Sequence, residues 1–128
     1  MASSVIEKAT IYENSSVSFL ARIRISSGSY LSQGVTDSIT CKVFSLADTS
    51  TAVATPSITV SSVVFNSLQT SDDCWTKDTT GYNFKVTLND SIFVDGDLTY
   101  QVEFKFALSN GNDIYVVYRV YTLPVYSE

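Results

Sequence analysis

The chain has 128 residues, a formal net charge of −5, 45% hydrophobic residues and only 16% charged ones. One domain accounts for that length, and such a chain buries enough apolar surface to fold without a metal or a disulfide staple. Its acidity, with a pI near 4.5, speaks against nucleic acid and against anionic membrane surfaces, because both are bound by neutralising negative charge.

Ser and Thr make up much of the polar surface, 20 and 14 residues respectively. Thr suits a pleated sheet and Ser suits its turns. Residues Met1–Lys8 contain no basic stretch followed by a long apolar run, so no secretory signal is expected. No apolar run approaches the ~20 residues that cross a bilayer. The expectation is a protein made and assembled in a cytoplasm, with one domain over 1–128 and short extended tails at 1–8 and 122–128.

Along the chain, period-2 alternation dominates. A short strand is expected near Ala9–Tyr12. Val17, Phe19, Ala21, Ile23 and Ile25 then alternate with polar neighbours and predict a strand with one buried face. Ile39, Cys41 and Val43 predict a second such strand. Weaker strands are expected at Thr51–Ala54, Ile58–Val60 and Val63–Phe65, and a helical turn at Asn66–Thr70. Tyr82, Phe84, Val86 and Leu88 alternate with Asn83, Lys85 and Thr87.

The clearest signal comes last. Leu98, Tyr100, Val102, Phe104, Phe106 and Leu108 form a stripe against Thr99, Gln101, Glu103 and Lys105. Ser109-Asn110-Gly111-Asn112 makes a turn, and Ile114, Val116, Tyr118 and Val120 return on the same face, which predicts a long hairpin. Polar turns at Ser26–Ser29, Ala47–Ser50, Ser71–Asp73 and Asp95–Asp97 separate the strands. Seven to nine short strands so spaced predict an all-β, immunoglobulin-like antiparallel β-sandwich. Tyr100, just inside the penultimate strand after Asp95-Gly96-Asp97, fits the tyrosine that ties such a strand to its preceding corner. It fits equally an inward-facing Tyr with its hydroxyl at the rim.

The residues offer little chemistry. There is no histidine, so the usual neutral-pH base, the His-paired nucleophiles and the commonest zinc ligand are absent. The acidic residues fall mostly in turns, where Asp bonds the local backbone. Asp72-Asp73-Cys74-Trp75-Thr76-Lys77-Asp78 clusters three carboxylates, but Lys77 and Trp75 interrupt them and no glycine provides the sharp turn of a calcium loop. No cofactor and no metal is expected. Cys41 and Cys74 are expected as two free thiols, with an inter-sheet bridge as the alternative.

Ile114-Tyr115-Val116-Val117-Tyr118-Arg119-Val120-Tyr121 is apolar on both sides. A strand of that kind is either covered by its own chain or offered to another. Tyr and Arg are also enriched where interfaces concentrate their energy.

The runs Ala9–Val17, Val63–Thr70, Trp75–Phe84, Thr99–Phe104 and Tyr121–Val125 together resemble small immunoglobulin-like proteins encoded among the structural genes of tailed bacteriophages. The resemblance implies a non-enzymatic virion component, a capsid decoration or cement protein binding the major capsid protein or another virion protein, and it carries over no catalytic residue. It leaves a neck or tail adaptor, or a carbohydrate-binding β-sandwich, as alternatives. A homo-oligomer is compatible with it; nucleic acid and membrane are not expected partners. The candidate partner-binding residues are Val5, Ile6, Val125 and Tyr126 in the tails, and Tyr115, Val117, Arg119 and Tyr121 on the outward face of the last strand.

Overall fold

The computed structural model describes residues 4–25, 27–72, 75 and 78–126, with backbone alone for 4–7. Among the described residues seven strands form two sheets. They are β1 (Ser4–Tyr12), β2 (Val17–Ala21), β3 (Thr36–Ser45), β4 (Val64–Gln69), β5 (Tyr82–Leu88), β6 (Leu98–Leu108) and β7 (Asp113–Leu123). One sheet has the order β1-β7-β6-β3 and the other β2-β5-β4. The fold is an all-β sandwich. Its β7-β6-β3 and β2-β5-β4 blocks are those of the immunoglobulin arrangement, with the first strand on the outer edge of the larger sheet.

The alternating stripes become the core. Val17, Phe19, Cys41, Val43, Phe84, Val86, Val102, Phe104, Phe106, Val116, Tyr118 and Val120 are buried between the sheets. Rings lock the layers together. Phe84 on the smaller sheet meets Phe104 and Phe106 edge-on at 5.3 and 5.1 Å, and Phe19 lies 4.3 Å from Tyr118. Each such pair adds about 1 kcal/mol beyond its buried area. The predicted hairpin runs from Leu98 opposite Thr122 to Ala107 opposite Asp113, and Gly111 takes the positive φ (85°) of its turn.

Several expectations need correction. The sandwich is not wholly antiparallel, because β1 runs parallel to β7 from Ser4 opposite Tyr115 to Tyr12 opposite Leu123. Alternation has the same period in both kinds of ladder, so the pattern could not tell them apart. The expected tails are therefore shorter: the backbone of 4–8 belongs to β1, and Thr122 and Leu123 belong to β7. The Asn66–Thr70 turn is instead part of β4, and the helical turn lies at Val60–Val63. Thr51–Ala54 and Ile58–Val60 form no strands; the neighbourhood contributes only isolated bridges, Val43 to Ala54 and Thr40 to Ser57.

The strand from Val17 ends at Ala21 rather than Ile25. Beyond it Asn83, expected on a polar face, is buried and takes over the ladder's role. Its Oδ1 accepts the Ile23 amide (2.8 Å), and its Nδ2 donates to the Ile23 and Leu31 carbonyls (2.9 and 3.0 Å). The tyrosine corner is present: Tyr100, buried, accepts the Asp95 amide on its hydroxyl at 3.2 Å. Cys41 is free and buried, and burial pushes its thiol pKa up to about 12; Cys74 lies outside the described residues.

Candidate interaction surface

In the larger sheet every second residue of β7 faces away from the core, and register decides its neighbours. Tyr115, Val117, Arg119 and Tyr121 stand beside Lys105, Glu103, Gln101 and Thr99 of β6. On the other flank Arg119 and Tyr121 stand beside Lys8 and Thr10 of β1, and Leu123 beside Tyr12. Thr40, Lys42 and Phe44 of β3 extend the face past β6. Tyr115, Arg119 and Tyr121 are exposed, Val117 is half-buried, and Lys8, Thr10, Tyr12, Lys42 and Lys105 are exposed. The N-terminal strand lies beside β7 and not across it, so among the described residues this face stays open to solvent.

Polar contacts hold the middle of the face in order. Arg119 Nε donates to Gln101 Oε1 at 3.2 Å, and Gln101 Nε2 donates to Glu103 Oε2 at 2.6 Å. Lys105 lies 3.7 Å from Asp113. Tyr121 donates its hydroxyl to Asp97 Oδ1 at 2.7 Å. That bond and the carboxylate's charge hold the phenol above its ordinary pKa, since both favour the protonated form. Between β3, β6 and Tyr115 lies a hollow of about 410 Å³ lined by Thr40, Lys42, Glu103, Lys105 and Tyr115. A smaller one of about 160 Å³, between Phe44, Leu46 and Glu103, continues it.

The face is basic in an acidic protein. Four of the chain's eight Lys and Arg residues lie on it (Lys8, Lys42, Lys105 and Arg119), against the carboxylates of Glu103 and Asp113 and, at its rim beside Tyr121, Asp97. The sequence reading missed the three lysines as part of the surface. Their outward parity was visible in the alternation around Lys42 and Lys105, but their place beside Tyr115 and Arg119 depends on strand order.

The remaining candidates divide. Val5 and Ile6 lie in β1 opposite Val116 and Val117, and their side chains are outside the described residues. Val125 is half-buried, with its amide donating to Glu13 Oε1 at 2.9 Å. Tyr126 stands 93% exposed. Tyr126 lies within electrostatic reach of Tyr121 at the rim of the face.

A groove of about 720 Å³ opens where β4 diverges from β5, which pair only at Val64–Phe84 and Gln69–Tyr82. Ile58, Val63, Phe65 and Leu88 line it. Lys85 is the single ionisable side chain in its wall and is engaged with Asp72.

The carboxylates of the Asp72–Asp78 loop are drawn to separate partners. Asp72 meets Lys85, while Asp78 binds Arg22 at 2.8 Å and accepts the amides of Thr80 and Gly81. Arg22 and those bonds hold the Asp78 carboxyl below its ordinary value. Asp73 and Lys77 lie outside the described residues. Among the described residues no group of three or more His, Cys, Asp or Glu side chains is placed to hold a metal, and no helix is long and apolar enough to cross a membrane. No protein-family model matches the sequence, and no curated protein matches it.

Proposed function

We propose that this chain is a non-enzymatic structural protein of a virion, one that decorates or clamps the assembled head of a tailed bacteriophage, with the outward face of its larger sheet as the contact surface within that assembly. The observation that carries the reading is this open face. It joins three exposed tyrosines (Tyr12, Tyr115 and Tyr121) and the half-buried Val117 to four cationic side chains on one four-stranded sheet. Tyr and Arg are enriched where interfaces concentrate their energy, and a sheet holds them in fixed register. The phage context rests on the resemblance carried by Ala9–Val17, Val63–Thr70, Trp75–Phe84, Thr99–Phe104 and Tyr121–Val125. A protein that binds only the assembled shell stabilises it by mass action, and repetition over a symmetric shell turns modest contacts into avidity.

The test is co-sedimentation of purified protein with phage heads that lack it. The expected result is saturable binding in hundreds of copies per particle, weakened by Tyr115→Ala and by Arg119→Ala with the fold intact by circular dichroism. A ring's worth of copies points to a neck or tail adaptor. Absence of binding, with a positive glycan array, replaces the proposal with a carbohydrate-binding one.

A further inference from the structure

The basic face has a counterpart on the same molecule. At one end of the sandwich the β1–β2 turn, the loop after β3, the β5–β6 loop and the segment after β7 come together. The Asn14 amide donates to the Phe93 carbonyl, the Leu46 amide to Thr99 and the Asp97 amide to Thr122 (2.8–2.9 Å), while Val125 is tied to Glu13. These segments carry Glu13, Asp48, Asp90, Asp95 and Asp97 and no Lys or Arg. They also carry Val94 and Tyr126, two of the exposed large hydrophobic side chains among the described residues, and Leu46, which borders the smaller hollow of the sheet face as well.

The sheet face is thus cationic and aromatic, and this end is anionic and apolar. Each offers what the other's surface needs: opposite charge to steer and orient, and apolar side chains to bury.

We infer that the sheet face docks the acidic end of a second copy of this chain. The inference rests on the reading of that face as a contact surface and names its occupant. Because the two patches differ, the contact is heterologous and leaves one basic face and one acidic end unused on every pair. It therefore propagates from copy to copy instead of closing as a two-fold dimer. On a shell, such contacts link neighbouring copies laterally.

The inference is tested by sedimentation velocity of the full chain at about 0.02 M and about 0.5 M salt, where screening differs severalfold. Concentration-dependent association at low salt, weakened at least about tenfold at high salt, is expected. Lys42→Glu with Lys105→Glu makes the face acidic, and Asp48→Lys with Asp90→Lys and Asp95→Lys makes the end basic. Each of these variants alone should stay monomeric, because its two patches then share one sign. Mixing the two should restore association.

The neutral pair Lys42→Gln with Lys105→Gln removes attraction without adding repulsion and serves if a reversed variant fails to fold; it should associate more weakly than the parent. A parent protein that stays monomeric at low salt, reversed variants that still associate, or a mixture of folded variants that stays apart each overturns the inference. Head binding by a protein that never self-associates overturns this contact and leaves the attachment reading standing. Self-association without head binding does the reverse.

Discussion

The two ends of the sandwich are tied by different chemistry. At the end where β1 stops and β6 begins, the described residues are tied without ion pairs. Buried Thr122 donates its hydroxyl to the Asp95 carbonyl at 2.6 Å and accepts the Leu98 amide at 3.3 Å, and Tyr100 accepts the Asp95 amide. Gly96 lets the loop press against Glu13 and Pro124, where a Cβ would come within 2.7 Å of both. At the opposite end charges meet one another: Arg22 with Asp78, and Lys85 with Asp72. A single buried Asn83 cross-links the Ile23 and Leu31 backbones there. An end whose ions are paired internally presents little net field. The other end has carboxylates and no Lys or Arg in its loops, so its charge stays uncompensated even where Glu13 and Asp97 accept local bonds.

The comparison breaks most readily at Asn83. Asn83→Leu keeps the side-chain volume and removes every bond from Asn83 to Ile23 and Leu31; the Ile23 amide and the Leu31 carbonyl lose that partner, while the Ile23 carbonyl keeps the Leu31 amide at 2.9 Å. Each orphaned buried group costs about 1–3 kcal/mol, and partial access of water to the loop limits the total to about 3 kcal/mol. Urea denaturation should show that loss with an unchanged slope.

At the other end the same logic gives smaller effects. Thr122→Val is nearly isosteric and should lose about 2 kcal/mol, because both the Asp95 carbonyl and the Leu98 amide lose a buried partner. Tyr100→Phe removes one neutral bond of 3.2 Å and should lose about 1 kcal/mol. If Tyr100→Phe destabilised more than Asn83→Leu, the assignment of the main cross-link to the charged end would be wrong.

Much of this was legible before any coordinates. The stripes of Val102, Phe104 and Phe106 and of Val116, Tyr118 and Val120 specify a buried face, because a strand's side chains alternate by geometry. The turn at Asn110-Gly111 fixes their hairpin, and Tyr100 after an acidic corner pointed to the bond its hydroxyl makes. What escaped was non-local. Whether β1 runs parallel or antiparallel to β7 leaves no trace in a period of two. Asn83 looked like a polar-face residue because its partners lie some 50–60 positions away in sequence. The outward parity of Tyr115 and Arg119 was readable. Their companionship with Lys8, Lys42 and Lys105, and the gathering of Glu13, Asp48, Asp90 and Asp95 at one end, depend on strand order, which alternation does not encode.

The smallest effect sharpens the comparison in another way, through pH. Arg22 and Asp78 are both partly solvated, with side chains 28% and 35% exposed, so solvent screens the pair and little stability is expected from it. Arg22→Ala should destabilise less than Tyr100→Phe. Its signature lies in the titration of Asp78, whose carboxyl is held below its ordinary 3.8, first by the hydrogen bond from Arg22 and then by the Gly81 amide. A depressed carboxyl favours the native state above its unfolded pKa, and that contribution disappears as pH falls through the folded value. The parent should therefore lose part of its stability below about pH 4, while Arg22→Ala should lose less over that window because its Asp78 titrates nearer the ordinary value. Carboxyl-carbon NMR of Asp78 reads this directly. An Asp78 titration unmoved by Arg22→Ala would show that the loop's own amides hold that carboxylate and that the guanidinium contributes nothing to this end.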